Sequence, residues 1–128
     1  MRSSAASDVY KRQVVLLGSR NDVNKLYSAM DVLLMPSKFE GLGLVLVEAQ
    51  IAGLPCFSST NVPKDVNISP NMNYISLNES PKVWAQRICE TPHLQRDEFK
   101  DCATKAGFEI ATKKNSLVEL YDGVLQTK

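Results

Sequence analysis

The sequence predicts an α/β domain built on an open, doubly wound parallel sheet, and three observations carry that prediction. VVLLG at 14–18 is a short continuous apolar run, DVLLMP at 31–36 reads as a second buried strand and PCFSS at 55–59 as a third. Uninterrupted apolar runs of this length are the pattern of strands buried on both faces, which is the situation of a parallel sheet. Segments of helical periodicity separate them, and the connections are short. Strand, helix, strand, helix, strand in that rhythm is the signature of the doubly wound class.

The elements follow in order. Residues 1–13, MRSSAASDVYKRQ, show neither period 2 nor period 3.6 and lack the apolar core of a secretory signal, so they read as an unstructured or extraneous leader. The partial α/β domain is expected over 14–128. VVLLG is expected as its first strand. Asn21 or Asp22 can cap a helix in which Val23, Leu26, Tyr27 and Met30 form one apolar face. DVLLMP is the second strand, SKFEGLG its exit loop, and 44–52 a helix stopped by Gly53 and Pro55. PCFSS is the third strand. Residues 60–73, rich in Asn, Pro and Ser, form the single long irregular connection and the internal candidate for a mobile loop. NYISL at 73–77 returns as a strand. Ser80 at the N-cap and Pro81 at N1 open a helix bearing Val83, Trp84, Arg87 and Ile88. Two more helices are expected, near 95–106 and from about Asn115, the last with a stripe of Leu117, Leu120, Tyr121 and Val124.

Composition excludes several function classes. The 128 residues suffice for one domain with a core, with 44% hydrophobic and 23% charged residues as in an ordinary globular protein. Fifteen basic against 14 acidic residues give a net charge of +1 and no basic stripe, which argues against nucleic-acid binding. No apolar run approaches the length of a membrane span. Cys56, Cys89 and Cys102 are odd in number and far apart, so neither a disulfide framework nor a zinc site is indicated, and reduced thiols point to a cytoplasmic setting.

The stretch PSKFEGLGLVLVEAQIAGLP raises the functional question. Glu48 sits in a segment whose only other polar residue is Gln50, so the helix should be apolar nearly all round and largely buried. A buried carboxylate needs donors, either from a neighbouring Lys or Arg or from a ligand in a cleft. In doubly wound sheets ligands bind beyond the carboxyl ends of the strands, where the loop holding Glu40 must lie. The backbone N–H groups of Gly41, Leu42, Gly43 and Leu44, free at the helix start, favour an anion such as a phosphate.

F-E-G-L-G-L-V-L-V-E-A-Q-I-A-G-L-P-C, with Glu40 and Glu48 in an E-x7-E arrangement, resembles the donor-site signature of the retaining GT-B glycosyltransferases that build bacterial capsular and exopolysaccharides. VVLLGSRNDVNKLYSAMDVLLMPS resembles the strand, helix and strand preceding that signature, and NYISLNESPKVWAQRI its continuation. The resemblance implies the C-terminal, Rossmann-like donor domain of a group 1 transferase. It implies that Glu48 holds the ribose hydroxyls of a nucleotide sugar, and that Glu40 is catalytic beside the transferred sugar. Gly41, Leu42, Gly43 and Leu44 would bind sugar and diphosphate through their amides, while Gly18, Ser19 and Arg20 would approach the nucleobase. No metal or other cofactor is expected, and no DxD triplet occurs.

The same resemblance implies partners: a nucleotide sugar, and the N-terminal acceptor domain of the same protein, which this sequence does not contain. The basic Arg and Lys pair that clamps the diphosphate in the family also has no counterpart here. An isolated chain without turnover is therefore expected, with hexosyl transfer belonging to the full enzyme and its peripheral association with a membrane left open. Two readings compete: a nucleotide-sugar-binding module without catalysis, and an unrelated doubly wound domain whose glutamates are structural or, for Glu40, solvated beside Lys38. His93 lies in a short linker and is assigned no chemistry. Trp84 and Tyr121 stand at core spacing, and Cys56 reads as a small hydrophobe.

Overall fold

The computed structural model describes residues 14–92, 96–99 and 101–108 of the chain. Its centre is a three-stranded parallel sheet of β1 (Leu33–Met35), β2 (Cys56–Ser59) and β3 (Met72–Ile75), in the order β1-β2-β3. Leu33 pairs with Cys56 and Cys56 with Met72, so the three strands start level. Helices α1 (Val23–Ala29), α2 (Leu44–Ile51), α3 (Pro81–Glu90) and the short α4 (Cys102–Lys105) surround the sheet, with 3-10 turns at Lys64–Val66 and Arg96–Phe99.

Alternation along the central strand explains why both faces must be covered. Cys56 points into a core with Tyr27, Leu46, Val47, Ala49, Leu54, Val62, Val66 and Met72, which is the α1 and α2 side. Phe57, its neighbour, points the other way to Ile75 and Trp84, against α3. Successive side chains of a strand face opposite sides, so β2 is buried along its whole length and reads as a continuous apolar and small-residue run. The α/β, doubly wound, Rossmann-like class predicted from the sequence is the architecture observed. Trp84 is buried as expected and donates its indole N–H to the Ser76 carbonyl at 3.2 Å.

Local signals held where they were strongest. Ser80 caps α3, its hydroxyl accepting from the Val83 N–H at 3.4 Å, with Pro81 at the first helical position. Gly53, with φ of +71°, ends α2 in the left-handed conformation that lets glycine stop a helix.

Four expectations are corrected. Residues 14–18 are not a strand: Val14, Val15, Leu16 and Leu17 are between 46% and 93% exposed and pair with nothing in the sheet. An apolar run becomes a strand only when a neighbour supplies its ladder, and among the described residues β1 carries none on its outer edge. Residues 60–73 do not form a loose loop. Val62, Val66, Ser69 and Asn71 are buried, and the Lys64 ammonium stands 3.0 Å over the Tyr74 ring. The region near 95–106 is broken into Arg96–Phe99 and α4 rather than one helix. The returning strand begins at Met72, slightly before NYISL. His93 and the helix from Asn115, with Tyr121, lie outside the described residues.

One buried side chain accounts for the packing of the long connection. The Gln50 amide nitrogen donates to the carbonyls of Leu46 at 2.9 Å and Val66 at 2.7 Å. Its oxygen accepts from the Ile68 N–H at 3.2 Å, the Ser69 N–H at 3.1 Å and the Ser69 hydroxyl at 3.1 Å. A primary amide offers donors and acceptors on one planar group, so a single Gln satisfies polar backbone that the connection would otherwise bury unpaired.

Candidate functional site

Helix α2 begins directly after the loop that leaves β1, and Gly43 decides how. Its φ of +75° and ψ of +43° put the N-cap in the left-handed region, which a side chain would strain. A Cβ there would also stand 3.2 Å from Glu40 Cγ. Glycine at 43 therefore lets the half-buried Glu40 fold back against the head of α2. The N–H groups of Gly41, Leu42, Gly43 and Leu44 find no acceptor among the described residues. Unpaired amides at the positive end of the helix dipole form a favourable seat for negative charge.

Glu48 is exposed, which corrects the expectation of a largely buried helix. Leu46, Val47, Ala49 and Gln50 of α2 are buried, whereas Leu44, Val45 and Glu48 share the open side. The helix has one packed face, against the sheet and the Lys64–Val66 turn, and its apolar content therefore overstated its burial. Glu48 does have a partner, but it is neither Lys nor Arg. The Tyr27 hydroxyl of α1 donates to Glu48 Oε2 at 3.0 Å.

Helices α1 and α2 thereby form the walls of a groove of about 610 Å³, lined by Asn21, Val23, Asn24, Tyr27, Glu48, Ile51 and Ala52. Burial, followed by the Glu48 hydrogen bond and charge, pushes the Tyr27 hydroxyl up to about 12, so it remains a donor at any ordinary pH. The loop before α1 reaches this groove through Asn21. Within that loop, Gly18 adopts φ of +66°, and Gly18, Ser19 and Arg20 are all exposed. Arg20 donates to both oxygens of Asp22, at 2.8 and 2.7 Å, which holds the Asp22 carboxyl below its usual range. Asp22 accordingly occupies the N-cap position of α1 without making a side-chain cap.

The structure thus brings Glu48 and the end of the 18–21 loop into one groove and sets Glu40 with the free amides at the head of α2. Sequence reasoning placed Tyr27 on the packing face of α1 and missed its hydroxyl. The available signal was that a tyrosine at a core position must find a partner for its O–H, and Glu48 needed a donor. Arg96 was missed altogether. Its guanidinium donates to the carbonyls of Tyr27 at 3.2 Å, Ser28 at 2.8 Å and Met30, closing the C-terminal end of α1 from 66 or more residues away. Cys56 is fully buried and its thiol is pushed up to about 12 by that burial, which suits packing and not nucleophilic chemistry. No helix among the described residues is long and apolar enough to cross a membrane.

Comparison with known proteins gives the family of the chain. A family model described as Glycosyl transferases group 1 matches residues 2–91. The chain is 47% identical over 123 residues to the UDP-Gal:alpha-D-GlcNAc-diphosphoundecaprenol alpha-1,3-galactosyltransferase of Escherichia coli, a match covering 92% of this chain and 32% of that protein. It is 32% identical over 113 residues to EpsF of Bacillus subtilis (strain 168), named as a glycosyltransferase, covering 85% of this chain and 29% of that protein. A shorter match, 43% identical over 49 residues, links it to the lipopolysaccharide glucosyltransferase WaaG of Escherichia coli (strain K12), covering 38% of this chain and 13% of that protein. The chain spans about a third of the length of the first two relatives. With a parallel three-stranded sheet covered on both faces and a family match over most of its length, the chain belongs to the group 1 glycosyltransferases and carries the Rossmann-like layering of the C-terminal part of their GT-B fold.

Proposed function

We propose that this chain is the donor-binding part of a glycosyltransferase that takes a nucleoside diphosphate sugar and passes the glycosyl group, with retention of anomeric configuration, to a polysaccharide or lipid-linked acceptor. The observation that supports it best is the pairing of two features on one helix. The head of α2 offers unpaired amides at a glycine N-cap, and one turn further on Glu48 faces a groove that also receives Asn21. An anionic diphosphate suits the first and the vicinal hydroxyls of a ribose suit the second, since a carboxylate accepts from both.

In this reading the nucleoside lies in the groove between α1 and α2, with the ribose on Glu48 and the base towards Gly18, Ser19, Arg20 and Asn21. The diphosphate sits at Gly41, Leu42, Gly43 and Leu44. Departure of the nucleoside diphosphate leaves an oxocarbenium-like sugar and a leaving group gaining negative charge. Amides fixed at the helix start stabilise that charge as it develops. Glu40, held against the same helix start, lies beside the transferred sugar and orders its hydroxyls. No metal is assigned a role.

The name of the Escherichia coli relative supports a UDP-linked hexose as donor and a lipid diphosphate-linked sugar as acceptor. Three free cysteines suit a reducing cytoplasm, and peripheral contact with a membrane would follow from a lipid-linked acceptor. The acceptor side belongs to the remainder of the enzyme, so the isolated chain binds donor without transferring sugar. Calorimetric titration of UDP tests the reading: Glu48→Gln replaces one acceptor oxygen by a donor and should weaken binding by about 1 to 3 kcal/mol. Equal affinities would remove Glu48 from the ribose.

A further inference from the structure

We propose that Tyr27 is a positioning residue for Glu48, fixing the carboxylate that faces the groove, and that Arg96 fixes the helix from which Tyr27 acts. The inference rests on the donor-binding reading above.

An exposed glutamate on a helix samples several rotamers, and ordering it on binding costs side-chain entropy. Glu48 escapes part of that cost. Tyr27 is 4% exposed, its ring packed in the core beside Leu46 and Val47, and its hydroxyl reaches Glu48 Oε2 at 3.0 Å. A buried ring is a rigid mount, so the hydroxyl marks a fixed point in the groove wall. Glu48 Oε1 has no partner among the described residues, and the two oxygens together retain most of their accepting capacity. The carboxylate is preorganised without being consumed.

The mount itself is secured from a distance. Helix α1 is seven residues long, with no basic residue in its last turn and no side-chain cap at its start. A helix this short is marginal by itself. Arg96 supplies what it lacks, donating to the Tyr27, Ser28 and Met30 carbonyls and placing a cation at the negative end of the helix dipole. Arg96 is positioned in turn by its backbone, which lies directly against Gly53 at the end of α2. Glu48, Gly53, Arg96 and Tyr27 close a ring of contacts, so the position of the hydroxyl is tied to the helix that carries the carboxylate.

A binding comparison in the full chain tests this. UDP and its 2′,3′-dideoxy counterpart are titrated against wild type, Tyr27→Phe, Glu48→Gln and the double variant. If Tyr27 acts through Glu48, Tyr27→Phe lowers UDP affinity about three- to tenfold, the worth of one hydrogen bond. It leaves the dideoxy compound unaffected, and adds nothing in the Glu48→Gln background. Unchanged dideoxy binding also certifies that the variant is folded. Two other results would each overturn the inference and are distinguishable. If Glu48→Gln abolishes discrimination between the two nucleotides while Tyr27→Phe preserves it, or if the two changes are additive, Tyr27 is only a packing residue. If Glu48→Gln itself leaves discrimination intact, the ribose reading fails and the positioning role with it. Arg96→Lys, which keeps the charge but loses the fork, should lower discrimination in the same direction as Tyr27→Phe; no change would confine Arg96 to stability.

Discussion

A Cβ placed on Gly53 would stand 2.6 Å from the Cα of Arg96. No pair of non-bonded carbon atoms tolerates that separation, and the neighbour is backbone, which has little room to yield. Gly53 also has φ of +71°, where a side chain is strained. Gly53→Ala should therefore destabilise the domain by about 2 to 4 kcal/mol, combining left-handed strain with overpacking. Urea denaturation measures it. A loss below about 1 kcal/mol would mean that Arg96 does not pack on the end of α2.

Gln50 makes five hydrogen bonds while fully buried. Gln50→Leu keeps most of the volume but strands the N–H groups of Ile68 and Ser69 and the Val66 carbonyl. Unsatisfied buried groups are costly, and the expected loss is about 3 kcal/mol. Amide hydrogen exchange gives the sharper readout: protection at Ile68 and Ser69 should fall more than protection in β2. Uniform loss across the domain would place the effect elsewhere.

Glu40 should behave oppositely to Glu48 in a complete transferase carrying this sequence. A residue that orders the transferred sugar in the transition state affects kcat, so Glu40→Ala should slow turnover at least tenfold with nucleotide affinity nearly unchanged. Steady-state kinetics with product-inhibition constants separate the two. Normal turnover would return Glu40 to an ordinary loop carboxylate.

Stability should decline in alkali. Burial raises Cys56 from 9.0 to about 12, and burial with the Glu48 contact raises Tyr27 from 10.0 to about 12. Both groups bind their protons more tightly folded than unfolded, so their stabilising effect is complete below pH 9 and disappears as pH rises towards 12. Urea midpoints across that interval should fall, and in Cys56→Ala the fall should begin nearer pH 10. A midpoint constant up to pH 12 would contradict burial of both groups.

Much of the fold was legible because its signals are local. The strand segments within 31–36 and 55–59, the Ser80-Pro81 start and the Gly53 stop each act within a few residues, and all appear where the sequence put them. The family was legible as a resemblance carried by the stretch from Phe39 to Cys56 and its flanks, and the family match over residues 2–91 bears it out. What the sequence could not determine was burial and pairing, which depend on neighbours remote along the chain. Whether residues 14–18 form a strand turns on a ladder partner, and whether Glu48 is buried turns on which face of α2 the sheet covers. Nor could spacing show that the Tyr27 hydroxyl meets Glu48, or that Arg96, 69 residues beyond Tyr27, joins the end of α1 to Gly53. Chain connectivity restricts which side chains can act; packing of α1 against α2, and of Arg96 across both, determines which of them do.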